Sequence, residues 1–525
     1  MKRFQASSGY YCQLVLILAM YTGLQSAPGA AAQAPPSQVG EWSKIFPLGN
    51  VAVHTHVLPT GKVLFWPRHE KDETRNPDPQ RTNPRLWDPA TLTLISPAPP
   101  SLPHNLFCSG HAFLPDGRLF VAGGHDVMDS HGLNTAHAYN PFVNTWEMLP
   151  DMKNGRWYPS VVALPSGEML VLSGQIDTLS DAPPNEDIHG FNNLPQVWGP
   201  GGWRDLTGAK DKKFQLYPFL HVAPNGKVFM AGTLPDTRYL DTTGTGQWTM
   251  LATHVLDKTR DYGSSVMYAD GKIIVMGGSD PPTPTAEVID LNEATPAWKN
   301  VEPMHFARRQ MNAAILPDGK VFVSGGSSGP TFSNGSFKVL ETECWDPATG
   351  HWTLLAAQAE ARLYHSTLVL LPDGRLLSAG GGQPTFPGDF GDHSGGTGPP
   401  TSPPSDPDDV NDHYTGQIYS PPYLFQSGKR PAIKSAPTDV GYGESFTVAT
   451  DDAASIRKVT WIRLPSVTHS FNQNQRINVL GFTANAADLT VKAPADRNLA
   501  PPGHYMLFIL NGDGVPSVAS IIRIR

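Results

Sequence analysis

Several features are scarce in this 525-residue chain, and each scarcity excludes a class of protein. Cysteine occurs three times, which excludes a small fold held together by many disulfides. The net charge is -8 and charged residues make up 16 %, so nothing predicts binding to nucleic acid or to an anionic membrane. No apolar run after the N-terminal region is long enough to span a bilayer. A Gly-rich dinucleotide fingerprint in a βαβ setting is also missing.

The first 32 residues have the pattern of a secretory signal peptide. "MKR" supplies positive charge, "CQLVLILAMYTGL" is an apolar core, and "APGAAAQA" offers small residues for cleavage after Ala32. We therefore expect a protein that is secreted, or exported to a periplasm or cell surface. An uncleaved anchor is the alternative. Cleavage removes Cys12 and leaves Cys108 and Cys344, which in an oxidising compartment suggest one disulfide.

Glycine (50) and proline (51) are abundant, and many of them belong to a repeat of roughly 50 residues. The repeat is a short apolar strand, a turn of the type Pro-Asp-Gly-Lys/Arg, and a second apolar strand. Each copy predicts a β-hairpin. The copies read "HVLPTGKVLFW", "AFLPDGRLFVAGG", "VALPSGEMLVLSG", "HVAPNGKVFMAG", "VMYADGKIIVMGG", "AILPDGKVFVSGG" and "VLLPDGRLLSAGGG". Their turn glycines are Gly61, Gly117, Gly167, Gly226, Gly271, Gly319 and Gly374.

These hairpins resemble kelch repeats and predict an all-β fold. Seven such sheets packed around an axis give a seven-bladed kelch-type β-propeller, which we place at residues 38–428. "GEWSKIFPL" precedes the first hairpin and is expected to supply the outer strand that closes the last blade. Strand-like runs at short spacing then predict a small immunoglobulin-like β-sandwich over residues 431–525. Residues 383–412 are rich in Gly, Pro, Ser and Asp and predict a mobile surface loop, with a lid as the alternative.

The inner strand of each propeller blade lies beside the central channel. Counting back nine residues from each turn glycine gives seven equivalent positions, called the axial positions below. They are Ala52, Cys108, Tyr158, Tyr217, Tyr262, Gln310 and His365. A single buried tyrosine or histidine is more often structural than functional, but six residues with bonding side chains in one register favour a site at the axis.

Two further expectations follow from this register. Tyr364 lies one residue before the seventh axial position, and both it and His365 reach the axis only if the strand end is irregular. Cys108 and Tyr158 lie on adjacent blades and are expected to be neighbours, whereas Cys344 lies on an outer strand. A disulfide between Cys108 and Cys344 is therefore disfavoured.

Four motifs resemble the copper-radical oxidases, the group of galactose oxidase and glyoxal oxidase. They are "FCSG" at 107–110, "GRWYPS" at 155–160, "RLYHSTLVLLPDGR" at 362–375 and "VTHSFNQNQR" at 467–476. They occur in the family's order, and the likeness covers both the propeller and the C-terminal (early-set) sandwich. The combination is specific, whereas kelch repeats alone would be weak evidence.

The resemblance implies a copper cofactor and a role for five residues. Cys108 would form a thioether with the ring of Tyr158, and Tyr158 would be a copper ligand and the site of a tyrosyl radical. Tyr364 would be the axial tyrosine ligand and general base. His365 and His469 would be the imidazole ligands, with His469 carried into the channel by a loop of the sandwich domain. Nitrogen and oxygen donors suit copper(II). Because copper(II) accepts one electron while oxidation of an alcohol releases two, a phenoxyl radical is a fitting second acceptor.

The resemblance also implies the activity, a secreted oxidase that converts dioxygen to hydrogen peroxide. Ile176 stands where galactose oxidase has a stacking tryptophan, and Pro218 stands near the place of its substrate-binding arginine. No N-terminal carbohydrate-binding sandwich is expected either. Small aldehydes or primary alcohols are therefore expected as substrates rather than galactose alone, with the protein acting as a monomer. The alternatives are a non-enzymatic secreted propeller that binds glycans or surface partners, and a metal site without a radical.

Overall fold

Short strands dominate the chain, because apolar runs alternate with tight glycine turns throughout. The computed structural model describes residues 34–67, 81–126, 131–177, 190–211, 215–382 and 413–525. The predicted signal peptide and the predicted loop at 383–412 lie outside the described residues. Pro36–Arg525 forms one compact unit. None of the helices in the described ranges is long and apolar enough to cross a membrane.

The seven turn glycines adopt the backbone that their hairpins require. Their φ values lie between 71° and 94°, in the left-handed region that residues with a Cβ avoid. Each of the seven predicted hairpins is present as a pair of antiparallel strands. Further strands extend each hairpin into a sheet of four to six strands, so the seven-bladed propeller is confirmed.

The N-terminal elements and the first three blades occupy the first part of the described chain. The N-terminal elements are α1 (Pro36–Val39), β1 (Glu41–Trp42) and β2 (Phe46–Pro47). Blade 1 consists of β3 (His54–Val57), β4 (Val63–Trp66), β5 (Arg85–Asp88) and β6 (Thr93–Leu94), and blade 3 of β13 (Ser160–Ala163), β14 (Met169–Leu172), β15 (Gln196–Gly199) and β16 (Gly202–Asp205). Blade 2 consists of β7 (Gly110–Phe113), β8 (Leu119–Ala122), β11 (Ala136–Asn140) and β12 (Thr145–Leu149), with an extra strand pair, β9 (His125–Asp126) and β10 (His131–Gly132), between β8 and β11.

Blades 4 to 7 follow with the same order of strands. They are blade 4 with β17 (Phe219–Val222), β18 (Val228–Gly232), β19 (Asp236–Asp241) and β20 (Gln247–Thr253); blade 5 with β21 (Ser264–Ala269), β22 (Lys272–Met276), β23 (Ala286–Asp290) and β24 (Lys299–Asn300); blade 6 with β25 (Arg309–Ile315), β26 (Val321–Ser327), β27 (Thr342–Asp346) and β28 (His351–Leu355); and blade 7 with β29 (Ser366–Leu370), β30 (Leu376–Gly380) and β31 (Thr415–Ser420).

The N-terminal strands complete blade 7, as the sequence predicted. Both β1 and β2 pair antiparallel with β31. Trp42 packs its ring 5.0 Å from that of Tyr419 and donates from its indole nitrogen to the carbonyl of Ala356 at 2.9 Å. The ring of blades is therefore closed by residues from both ends of the propeller sequence.

The C-terminal strands form an immunoglobulin-like sandwich with its own apolar core around Trp461 and Leu507. The division of the chain near residues 428–431 stays a prediction. The strands are β32 (Asp439–Val440), β33 (Ser445–Ala449), β34 (Ile456–Arg463), β35 (Ser466–Thr468), β36 (Phe471–Asn472), β37 (Ile477–Val479), β38 (Phe482–Ala484), β39 (Asp488–Lys492), β40 (Gly503–Asn511) and β41 (Ser520–Ile524). One sheet has the order β32-β41-β40-β34-β37 and the other β33-β39-β38. Short 3-10 turns occur at Thr207–Ala209, Gly335–Phe337, Pro422–Phe425 and Ala453–Ser455.

Two strands of the C-terminal region belong to the propeller instead. β35 pairs antiparallel with β3, and β36 pairs with β35, so blade 1 has six strands. The segment that follows caps the inner strands of other blades. Gln473 Oε1 accepts the backbone N–H groups of His111 and Val161, and Gln475 Oε1 accepts that of Ile315. The "QNQR" segment therefore fixes the C-terminal region at the propeller axis.

Candidate metal centre

Six of the seven axial positions have a left-handed backbone although none is glycine. Their φ values are 57° at Cys108, 63° at Tyr158, 45° at Tyr217, 56° at Tyr262, 59° at Gln310 and 65° at His365. Such a backbone costs about 1–2 kcal/mol per residue, so the surrounding fold must impose it. Hydrogen bonds between neighbouring blades contribute, since Tyr158 N–H donates to Cys108 O at 2.8 Å and Tyr217 N–H to Tyr158 O at 3.0 Å.

His469 reaches the axis at the tip of a hairpin in the sheet of blade 1, not on a loop of the sandwich domain as the resemblance implied. It follows β35 and precedes β36, and the two turn residues, His469 and Ser470, have φ of 46° and 71°. Positive φ at both central residues is the pattern of a type I′ turn, whose twist matches the strands that it joins. Because β35 pairs with β3, the sheet of blade 1 holds this turn in place.

The five predicted site residues converge in one buried cluster. The ligand atoms of Cys108, His365 and His469 all lie within 4.8 Å of one another, with Cys108 Sγ 3.4 Å from His469 Nε2. The hydroxyl of Tyr158 hydrogen bonds that of Tyr364. No member of the cluster is more than 4 % exposed. This is the only group of metal-binding side chains of its kind within the described ranges.

Hydrogen bonds set which nitrogen of each imidazole faces the cluster. His365 Nδ1 lies 2.9 Å from the carbonyl of Gly382, which can only accept, so Nδ1 carries the proton. His469 Nδ1 lies 2.6 Å from Thr468 Oγ1, and that hydroxyl donates its own proton to Val53 O at 3.0 Å. His469 Nδ1 must therefore also carry the proton. In both rings Nε2 keeps the lone pair that a metal ligand needs.

Burial sets the protonation of the cluster. It raises the pKa of Tyr158 well above its usual value, and the adjacent Cys108 thiol, within hydrogen-bonding reach, adds to the rise. It likewise raises the pKa of Tyr364. The pKa of His469 is lowered, first by burial and then by His365. Neutral imidazoles and phenols that ionise only beside a cation are a donor set that fits copper(II).

Aromatic rings surround the cluster. The ring centroid of Trp157 lies 4.7 Å from that of Tyr158, and the Tyr217 ring lies 4.9 Å from His469. Phe107 lies edge-on to His365 at 5.2 Å, and Phe332 edge-on to Tyr364 at 4.5 Å. Phe332 was not predicted, because it lies in a loop of blade 6 outside the repeated spacing.

The other sequence expectations have clear outcomes. Within the described residues no disulfide joins Cys108 to Cys344, as predicted; Cys344 lies buried on β27.

Ile176 is 8 % exposed, and its backbone binds Gly132 and Gly190. Pro218 is buried and accepts a hydrogen bond from Ser160 Oγ at 2.7 Å. An aliphatic and a cyclic side chain at these positions offer neither a stacking ring nor a cation.

Two arginines near the axis are held by blade carboxylates. Arg308 pairs with Glu343 at 2.8 Å, and both side chains are fully buried. Arg309 pairs with Asp280 at 2.9 Å and lies 3.6 Å from Asp261.

Comparisons with known proteins match both the C-terminal region and the propeller region of this chain. The family described as "Galactose oxidase-like, Early set domain" matches residues 430–524, and the kelch motif matches residues 112–153. A galactose oxidase of Gibberella zeae is 28 % identical over 94 % of this chain and 71 % of its own length. An aldehyde oxidase of Vitis pseudoreticulata, named GLOX, is 28 % identical over 92 % of this chain and 97 % of its own.

The solved structures include a fungal alcohol oxidase in complex with copper. It superposes with a TM-score of 0.77 at 26 % identity and covers 93 % of this chain and all of its own. The likeness thus extends over both the propeller and the sandwich. In its C-terminal domain, its kelch motif, its fold and its sequence, the chain is thus similar to galactose oxidases, to an aldehyde oxidase and to a copper-containing alcohol oxidase.

Proposed function

We propose that this protein is a secreted, monomeric copper-radical oxidase that oxidises small aldehydes or primary alcohols and forms hydrogen peroxide from dioxygen. His365 and His469 would hold copper through Nε2, together with the phenol oxygens of Tyr158 and Tyr364. The observation that carries the proposal is that both imidazoles turn a lone pair to a cluster that also contains the two phenols and the Cys108 thiol.

Each residue has a distinct part in the reaction. Copper(II) held by these residues would supply a Lewis acid and an acceptor for one of the two electrons. Tyr364 Oη takes the proton of the substrate hydroxyl. The Tyr158 ring, oxidised by one electron and bonded to Cys108 sulfur, takes a hydrogen atom from the adjacent carbon at its Oη. The sulfur substituent donates electron density and so makes the ring easier to oxidise. The substrate loses two electrons and two protons in total, which dioxygen carries away as hydrogen peroxide.

The substrate class is argued from the surroundings of the cluster. Ile176 does not supply the ring that stacks over the thioether in galactose oxidase, and Pro218 does not supply the cation of its substrate-binding arginine. Arg308 and Arg309 are engaged by carboxylates. We therefore expect small substrates to be oxidised faster than galactose, with aldehydes reacting as their hydrates, which carry the hydroxyl that Tyr364 must deprotonate.

The test is peroxide formation by the copper-loaded protein with aldehydes, primary alcohols and sugars in parallel. We expect the highest kcat/KM with a small aldehyde or primary alcohol. A clear preference for galactose would contradict the substrate class. No peroxide from any substrate would contradict the oxidase and favour the non-enzymatic binding propeller.

Mass spectrometry tests the thioether separately. Copper loading in air should lower the mass of the intact chain by two hydrogens, and Cys108→Ala should abolish the change. Cys344→Ala is the matched control, because it removes the other buried thiol of the described chain and leaves the change intact. Full oxidase activity in Cys108→Ala would rule out the radical chemistry.

A further inference from the structure

A line of buried side chains connects the Cys108 backbone to blades 1 and 2. The Cys108 N–H donates to His54 Nε2 at 3.0 Å, and His54 Nδ1 lies 3.0 Å from His111 Nε2. His111 Nδ1 lies 2.6 Å from Ser466 Oγ, which in turn lies 2.9 Å from His56 Nδ1. The side chains of the line, called the histidine line below, are all fully buried.

The direction of the first hydrogen bond fixes the tautomers along the line. A backbone N–H can only donate, so His54 Nε2 accepts and, in the neutral ring, Nδ1 carries the proton. His54 then donates to His111 Nε2, and His111 donates from Nδ1 to Ser466 Oγ. Burial keeps the rings neutral, since it lowers the pKa of His54 well below its usual value and that of His111 to about 3. The line therefore presents a fixed acceptor to Cys108.

Hydrogen bonds hold both backbone groups of Cys108, its N–H and its carbonyl. Its N–H is bound by His54, and its carbonyl accepts from Tyr158 N–H at 2.8 Å. Between these two contacts the backbone adopts its left-handed φ of 57°. The N–H contact restrains rotation about φ and therefore the direction of the Cα–Cβ bond. The side chain that results lies in one packed cluster with Tyr158.

The ring of His54 is itself fixed by stacking. It lies on Trp66 with ring centroids 5.0 Å apart and planes 11° apart, and His56 lies on the same tryptophan at 4.6 Å and 29°. His54 and His56 thus lie on the same strand, β3, and stack on the same tryptophan ring. They differ in that His54 touches Cys108 and His56 touches Ser466.

We propose that His54 is a positioning residue for thioether formation, and that its hydrogen bond to the Cys108 amide directs the thiol at the Tyr158 ring. The inference rests on the proposed function, which includes the cross-link. In the step, the Cys108 S–H bond and one ring C–H bond of Tyr158 break and one S–C bond forms. Dioxygen takes up the two electrons and two protons as hydrogen peroxide. His54 exchanges no atoms in the step and acts through orientation alone.

The experiment follows the two-hydrogen mass loss with time after copper is added in air to protein prepared without copper. His54→Phe keeps a ring on Trp66 and removes the acceptor, and we expect cross-linking at least about tenfold slower than in the unchanged chain. His54→Gln keeps an acceptor of similar reach and should remain within about threefold. His56→Phe is the matched control and should also remain within about threefold.

Thermal unfolding shows whether His54→Phe is folded, and His54→Asn takes its place if it is not. His54→Asn retains a polar contact to His111 but is too short to reach the Cys108 amide, so it should also be slow. Equal rates in His54→Phe or His54→Asn and the unchanged chain would overturn the positioning role and leave the proposed function standing. Absence of any mass loss in the unchanged chain would instead contradict the proposed function, and the inference with it.

Discussion

Tyr364 and His365 are neighbours in sequence, yet both side chains belong to the same buried cluster. In a regular strand they would point to opposite faces of the sheet. The left-handed φ of 65° at His365, just before β29, turns its side chain to the same side as that of Tyr364. The two ring centroids lie 3.7 Å apart. One strained residue therefore lets blade 7 supply two potential ligands.

The hydroxyl of Tyr364 is the group that we expect to move the substrate proton. Tyr364→Phe removes that hydroxyl and its hydrogen bond to Tyr158 while leaving both imidazoles. Because positioned general bases contribute about 10²–10⁴-fold, we expect kcat for peroxide formation to fall by at least about 100-fold. The peroxide assay measures this, and the mass loss of two hydrogens should still occur.

The control for Tyr364→Phe is Tyr139→Phe, which removes the hydroxyl of a buried tyrosine in blade 2. That hydroxyl contacts Asn144 at 2.8 Å, in the outer part of the blade. Activity in Tyr139→Phe should stay within about twofold of the unchanged chain. A Tyr364→Phe protein that keeps a tenth or more of the activity would contradict the proton-transfer role.

Site residues that recur at the same place in each blade could be predicted from the sequence, whereas residues outside the repeat could not. Counting back from the turn glycines found Cys108, Tyr158 and His365, because the same hairpin geometry recurs in every blade. The contact between His54 and the Cys108 amide was not predicted, since it joins strands of two blades and depends on the strained φ of Cys108. Phe332 was missed for a similar reason, as its loop has no counterpart in the repeat.

At the scale of elements, the segment after β36 caps three inner strands with two glutamines. Gln473 satisfies two buried backbone donors, those of His111 in β7 and Val161 in β13. Gln475 satisfies one, that of Ile315 in β25. Both side chains are buried, at 3 % and 6 % exposure, so water cannot take their place. Each lost acceptor should therefore cost stability.

Gln473→Leu should destabilise the fold more than Gln475→Leu. An unsatisfied buried donor costs about 1–3 kcal/mol, so we expect losses of about 2–6 kcal/mol for the first and about 1–3 kcal/mol for the second. Denaturant unfolding of both variants measures the order. Equal losses would show that the number of satisfied donors does not determine the effect.

The strands and hairpins differed in how well the local sequence predicted them. Seven hairpins and the closing strand were predicted, because turn glycines and alternating apolar residues mark them locally. The β35–β36 hairpin was expected to be a loop, since nothing in "VTHSFN" shows that its partner is β3. Pairing between residues some 400 positions apart, such as His54 and Thr468, leaves no local pattern. Its turn of His469 and Ser470 also lacks the glycine of a typical hairpin.

At the scale of the whole molecule, the candidate site joins distant parts of the chain. Cys108 and Tyr158 precede blades 2 and 3, Tyr364 and His365 precede blade 7, and His469 belongs to the C-terminal hairpin on blade 1. Blade 7 is itself closed by β1 and β2. The cluster therefore exists only when the ring is closed and the C-terminal hairpin is seated. A metal ion bound there should stabilise the folded chain as a unit.

This coupling predicts a copper-dependent increase in stability that requires His469. A ligand at about 100 times its Kd adds about 2.7 kcal/mol to the free energy of unfolding, so chelated protein should unfold at lower denaturant than copper-loaded protein. His469→Ala should lose most of that difference. His221→Ala is the matched control, because His221 is a buried histidine of blade 4 that contacts Ser265 at 2.8 Å. It should lower stability equally with and without copper. If His469→Ala kept the full copper increment, the ion would be bound without the C-terminal hairpin, contrary to the convergence of ligands around the axis.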